Sequence, residues 1–393
     1  MPTLSTGEGR VPEQRIGGAI VIDAMASRPA CWGPLLTLAH TFDARRNSFD
    51  ALRLVLAGLV VIDHGVILQS GGVHTVNGTA LGEFAVDGFF VLSGFLVCRS
   101  YLRLNSLPRF VWHRVVRIMP GFWACLLVTA FIVAPLVAIL EGKPFTAAFT
   151  GVPSALRYVV VNAALVMNQF DIAGLLAANP IPLTFDGSLW TLIFEALCYV
   201  LLAGLGVLGV LGRQRWIVLA AVLGLYSLTI LQTLGFDTVG GVLLVRLALM
   251  FFLGSAAWLF ADRVPMTTAL AGAAVALFTF SIFFADPYRL LGAAAFTYLI
   301  MWLGTSIPWK VHVRTDLSYG MYIYHHLALQ VLMLTAAARL PTPLFVVLGV
   351  LVTLLPSAAS WFVVEKPALS RKNGPLIEAV VRTLRRTPVQ VSK

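Results

Sequence analysis

The stretch "LVLAGLVVIDHGVILQ", residues 54–69, is almost wholly apolar, yet it carries Asp63 and His64 side by side. A helix of about 20 apolar residues crosses the hydrocarbon core of a bilayer, a medium that disfavours ionisable side chains. The run therefore reads as a membrane span, and the pair within it as a functional hypothesis. The rest of the chain agrees. Of its 393 residues, 59% are hydrophobic and only 12% are charged, where a soluble domain carries about 25% charged residues. The fold class that follows is an all-α polytopic membrane protein with about ten transmembrane helices, from runs near 51–68, 84–103, 118–140, 188–211, 216–234, 239–261, 267–285, 289–307, 317–339 and 343–364. A shorter apolar piece near 155–168 reads as re-entrant or interfacial.

The net charge of +10 raises the question of nucleic acid. The distribution of the bases answers it. Arg45 and Arg46 precede the first run. Arg103, Arg109, Arg114 and Arg117 follow the second, Arg213 and Arg215 the fourth, Arg263 the sixth, and Lys310 and Arg314 the eighth. Lys366, Arg371, Lys372, Arg382, Arg385 and Arg386 follow the tenth. Bases gathered in alternate loops obey the positive-inside rule, so both termini are expected in the cytoplasm and the chain in the cell membrane, with no nucleic-acid partner. Residues 1–46 read as a disordered cytoplasmic extension, 47–367 as the membrane domain, and 368–393 as a basic tail near anionic membrane lipids. Cys31, Cys98, Cys125 and Cys198 have no paired spacing, which argues against a disulfide framework and against a structural metal.

Helical period sorts the polar residues within the spans. Arg53, Ala57, Val60 and His64 fall on one face, whereas Asp63 is turned about 100° from His64. In "GSLWTLIFEALCYVL", Ser188, Thr191, Glu195 and Tyr199 form one polar stripe, with Glu195 at about the depth of His64. A carboxylate near that imidazole would fix its tautomer. Ser93 lies between Gly88 and Gly94 in the second span, where small residues let a backbone or a ligand approach. In "LSYGMYIYHHLALQ", Ser318, Tyr322 and His325 share a face, and His326 lies about 100° away. Arg114 and Arg117 are one helical turn apart, a spacing that suits a phosphate clamp. Each residue also has a bland role. The arginines serve equally as membrane anchors, Glu195 as partner to a buried base, and His64, His325 and His326 as packed core histidines. "GLGVLG" at 204–209 lies in an apolar span with no preceding strand, so helix packing explains it better than dinucleotide binding.

The ordered pieces "NSFDALRLVLAGLVVIDH" (47–64), "GEFAVDGFFVLSGFLV" (82–97), "RFVWHRVVRIMP" (109–120), "DGSLWTLIFEALCY" (186–199), "LSYGMYIYHH" (317–326) and "VEKP" (364–367) resemble the acyltransferase 3 family of integral membrane acyltransferases. The likeness covers most of the chain and is strongest to bacterial O-acetyltransferases of O-antigen and exopolysaccharide. It implies acetyl-CoA or another acyl-CoA as cytoplasmic donor, no metal, and a carbohydrate acceptor such as a glycan or lipid-linked sugar, in the bacterial inner membrane. Residue by residue, it implies His64 as the catalytic histidine and Arg53 as a position of the same motif. Arg114 and Arg117 match the R-x-x-R motif that holds donor phosphates, and Glu195 is the acid that follows Trp190. Gly65 stands where the family often has Ser. His64 is then expected as general base, oriented by Glu195 or Asp63, with Ser93 or Tyr322 at the oxyanion and His325 as a further site candidate. Ionisable residues in spans also fit a proton-coupled transporter or flippase, which the one-sided arginines and the lack of an internal repeat disfavour.

Overall fold

A computed structural model describes residues 36–238, 241–307 and 315–386. Residues 1–35 of the expected extension, Cys31, Lys310, Arg314 and residues 387–393 of the tail lie outside them. The principal helices are α1 (Phe49–Ser70), α2 (Leu81–Leu104), α3 (Leu107–Val128), α4 (Thr191–Val207), α5 (Trp216–Thr233), α6 (Gly241–Leu259), α7 (Thr268–Phe284), α8 (Arg289–Thr305), α9 (Ser318–Met333), α10 (Thr342–Ser360) and α11 (Pro375–Arg386). One two-residue hairpin, Thr75–Val76 with Thr79–Ala80, joins α1 to α2.

Among the described residues, six helical segments are long and apolar enough to cross a membrane: α1, α2, the run Leu107–Leu140 that begins with α3, α5, α6, and the run Thr342–Thr383 that begins with α10. The hydropathy pattern predicts about ten spans. The other four appear as α4, α7 and α8 of 17 residues and α9 of 16. At 1.5 Å per residue these are roughly 24–26 Å long, a little short of a hydrocarbon core of about 30 Å. The third span also begins earlier than its apolar run suggests. Its helix starts at Leu107, so Arg109, Arg114 and Arg117 are helical rather than in a loop.

Two π-helical turns have an identifiable cause. Thr129–Val133 carries α3 into Ala134–Leu140, and Trp361–Glu365 carries α10 into Lys366–Ser370. Each turn contains the residue four before a proline, Pro135 or Pro367. A proline ring clashes with the carbonyl at that position, and a wider turn relieves the clash.

The core is built on α2, which packs against α6 and α1, while α9 packs against both α1 and α10, which also touch each other. The α2–α6 crossing is a contact of backbones. A Cβ at Gly94 would collide with the Phe251 carbonyl, and one at Gly254 with the Val91 carbonyl. Neither backbone can yield, since both lie in helix interiors. Gly94→Ala is therefore expected to destabilise by about 1–3 kcal/mol or more. Gly58→Ala on α1, where nothing lies within 4 Å, should instead be neutral or raise stability by up to about 1 kcal/mol. Thermal unfolding in detergent compares the two, and equal midpoints would refute the close crossing.

Beside that crossing sits a charge cluster that the hydropathy pattern does not reveal. Asp87 of α2 is fully buried and accepts from Arg246 Nε of α6 at 3.0 Å, Arg289 Nε of α8 at 2.6 Å and the Tyr288 hydroxyl at 2.7 Å. Glu83 pairs with the same two arginines, at 3.1 and 2.7 Å. Two acids thus neutralise two guanidinium groups and tie three helices together. The lipid-facing surface is conventional, with Val200, Leu223, Phe284 and Leu355 each exposed. Residues 36–46 pack on the bundle. Leu38 is wholly buried, its N–H donates to the Val264 carbonyl at 2.8 Å, and Phe42 packs against Phe49, Phe95 and Trp258.

Candidate active site: two cavities back to back

The first cavity lies among α1, α2, α3, α4 and α9 and encloses about 110 Å³; Arg53, Ser93, Arg114, Arg117, Glu195 and Tyr322 are on its wall. Arg53 and Arg117 both bind one carboxylate, Asp316, at 3.0 and 2.6 Å. Reasoning along the sequence misses Asp316, which precedes α9, although an acid at the entrance of a span beside bases is a legible signal. Burial works to raise its pKa. The guanidinium groups of Arg117 and Arg53 override that and hold the carboxyl well below the usual range. Buried Glu365 also acts on both guanidinium groups, so Arg53 and Arg117 face two acids.

Arg114 is different. Its guanidinium lies over the rings of Phe110 and Tyr199, at 5.9 and 5.7 Å, and it has no acidic partner among the described residues. Its buried Nε has no hydrogen-bond partner. A half-buried guanidinium with one buried, unpartnered N–H suits the cavity to an anionic ligand. Glu195 lies on the same wall, where it accepts hydrogen bonds from Ser93 Oγ at 2.9 Å and from the Tyr199 hydroxyl.

The second cavity encloses about 390 Å³ and is lined by His64, Ile67, Thr184, Gly187 and His326, with the segment Gly71–Val73 at its rim. His64 sits beside two other imidazoles, with ring centroids 4.8 Å from His325 and 5.5 Å from His326. Both α9 histidines therefore converge on α1, although they differ in helical phase. The hydrogen bonds assign the tautomers. His325 Nδ1 lies 2.8 Å from the Tyr322 carbonyl, and a carbonyl only accepts, so Nδ1 carries the proton and Nε2 is the acceptor. His64 Nδ1 lies 3.2 Å from that Nε2 and 3.1 Å from the Val60 carbonyl, so it donates to both. His64 Nε2 is left with a lone pair and no protein partner among the described residues. That is the arrangement of a general base.

The two cavities are linked through α9, where the Tyr322 and His325 ring centroids are 6.0 Å apart and His325 bonds His64. Tyr322 faces the first, and His325, one turn on and about 4.5 Å further along the axis, faces His64. Ser188 Oγ donates to the Tyr322 carbonyl at 3.0 Å, and Thr191 bonds the Tyr322 hydroxyl. The polar stripe of Ser188, Thr191, Glu195 and Tyr199 thus faces inward, as its spacing predicts. It does not bring Glu195 to His64, because the hydrogen-bond partners of Glu195 are Ser93 and Tyr199. Trp190 packs edge-on against Phe194 and lines neither cavity. Asp63 acts on His64 electrostatically, with no hydrogen bond between the two among the described residues, and its carboxylate lies against the backbone N–H groups of Leu81 and Gly82. These are the first amides of α2, which has no cap from its own preceding residue. Asp63 therefore caps α2 from a neighbouring helix. The irregular segment before α4 is pinned by Asp186, which accepts from Thr129 at 2.7 Å and Tyr158 at 2.5 Å.

The fold and site together define a helical, multi-pass membrane protein with an arginine-lined cavity and a histidine-lined cavity. Residues 46–362 match the model of the family described as "Acyltransferase domain", and the chain belongs to this acyltransferase 3 family. It is an acyltransferase. The chain is similar to the O-acetyl transferase of Shigella phage Sf6, 26% identical over 340 residues that cover 84% of this chain and 98% of that protein. It is also similar to Nodulation protein 10 of Rhizobium leguminosarum bv. viciae, 26% identical over 371 residues, covering 82% and 93%. No solved structure matches significantly.

Proposed function

We propose that the protein transfers an acyl group, acetyl in the first instance, from acyl-CoA to a hydroxyl of an extracytoplasmic carbohydrate such as O-antigen or exopolysaccharide. The observation that carries the donor is Arg114, a cation in a cavity wall with a buried, unpartnered Nε. Coenzyme A brings phosphates that would satisfy it, with Arg53 and Arg117 on the same cavity wall. A volume of about 110 Å³ is too small for a nucleotide, since sites for whole ligands run from about 300 Å³ upward. The nucleotide would therefore remain at the cavity mouth. In the proposed orientation, both termini and the arginine end face the cytoplasm of a bacterial inner membrane, where acyl-CoA is made. The similarity to an O-acetyl transferase supports acetyl and an oxygen acceptor.

The acceptor enters the second cavity. His64 Nε2 takes the hydroxyl proton as the oxygen attacks the thioester carbonyl. The carbon–sulfur bond breaks, and the thiolate leaves as the thiol with that proton. Phe89 and Tyr322, with ring centroids 5.8 Å apart, would part to let the acyl carbon through. Glu195 acts in the donor cavity, where it holds the Ser93 and Tyr199 hydroxyls.

Binding of acetyl-CoA to the purified protein, with acyl transfer measured in parallel, tests the reading. Arg114→Ala should weaken binding about ten-fold or more, the value of a charge-assisted hydrogen bond. Unchanged affinity would return Arg114 to a membrane-anchor role, and absence of acetyl-CoA binding by the unsubstituted protein would refute the donor.

A further inference from the structure

We propose that His326 binds a second hydroxyl of the acceptor, so that the site selects a vicinal diol of a sugar ring over an isolated alcohol. This deepens the proposed function and rests on its reading of His64 as the base. His326 Nδ1 lies 3.0 Å from the Phe185 carbonyl, which fixes the proton on Nδ1. The ring is 1% exposed and has no acidic partner among the described residues. Charging it would leave a buried cation uncompensated, so Nε2 presents a lone pair.

That nitrogen has no protein partner among the described residues, and it lines the same cavity as His64. Two imidazoles with ring centroids 5.5 Å apart and planes at 82° thus offer two bare acceptors to one ligand. The His326 ring cannot turn away. A Cβ at Gly187 would stand 2.7 Å from its Nε2, so the ring already lies against backbone, and Asp186 anchors that backbone. An isolated alcohol bound to His64 leaves the second acceptor unpaired. Adjacent ring hydroxyls engage both: one gives its proton to His64 as the new ester forms, and the other donates a hydrogen bond to His326 and keeps its proton. His326 is on this account a specificity residue that never touches the reacting oxygen.

The test uses acceptors small enough to enter whatever the natural glycan is. Purified protein with acetyl-CoA is offered cis-cyclohexane-1,2-diol or cyclohexanol. The diol should have a kcat/KM about ten-fold or more higher, the fold-value of one buried hydrogen bond. In His326→Phe, which keeps a ring of similar size, that ratio should fall to about two, the statistical factor for two equivalent hydroxyls. A ratio of only about two in the unsubstituted protein overturns the inference without the variant having to fold, and so does a high ratio that survives in His326→Phe. Either outcome leaves the acyltransferase reading standing. Transfer to neither alcohol by protein that binds acetyl-CoA overturns the second cavity as the acceptor site, and the inference with it.

Discussion

His64→Ala is expected to lower acyl transfer by about 10²–10⁴-fold, the usual contribution of a positioned general base, and to change acetyl-CoA affinity by no more than about two-fold. The separation of the cavities is the reason. His64 lines the histidine cavity and is absent from the wall of the arginine cavity. Its Nδ1 is committed to Val60 and His325, which leaves one nitrogen free for the acceptor proton. A sugar hydroxyl is a very weak acid, so attack without a base demands a high-energy alkoxide. The loss should therefore fall on kcat, with the donor KM nearly unchanged. Steady-state kinetics on folded, detergent-purified protein is the measurement. Substantial residual transfer, or a matching loss of acetyl-CoA binding, would sink the assignment.

Asp87→Ala is expected to be among the most destabilising single changes available in the described residues. It removes the partner of both Arg246 and Arg289 and leaves two guanidinium groups in the protein interior with only Glu83 between them. Breaking a buried pair in this way typically costs about 3–5 kcal/mol, because the orphaned charge keeps its desolvation penalty. Tyr288 loses its acceptor as well. The effect should appear as a lowered unfolding midpoint in detergent. Asp87→Asn, which keeps the shape and one acceptor oxygen, should lose less. An Asp87→Ala midpoint equal to that of the unsubstituted protein would mean that water reaches the cluster and the pairs are screened.

Much of the fold is legible in the amino-acid sequence, because a bilayer imposes a simple rule on composition. Apolar runs of sufficient length become helices, and 3.6 residues per turn assigns faces within each. The stripe Ser188–Thr191–Glu195–Tyr199 turns inward as its spacing requires. Arg114 and Arg117, neighbours on one helical turn by their spacing, lie on one helix. Relations between two helices are not legible in the same way. Glu195 and His64 share a depth by arithmetic along their axes, yet depth says nothing about the angle at which two helices meet. Asp63 shows no role along the chain for the same reason, since its partner is the first turn of another helix.

The charge cluster shows a further limit. Asp87, Arg246 and Arg289 lie in three separate apolar runs, each too hydrophobic overall for one charge to change its reading. Only their packing makes them mutual partners. The sequence by itself determined that this chain is a bundle of apolar helices, which of its residues are ionisable within them, and which face each occupies, because hydrophobicity and helical period are local properties. The tertiary structure alone decided that Asp316 binds two of the three arginines and leaves Arg114 open. It also decided that His325, not Glu195, completes the hydrogen bonding of His64, and that Asp63 belongs to the N-terminus of α2. These are contacts between elements distant in sequence, and their distances follow from how helices cross rather than from anything one helix encodes.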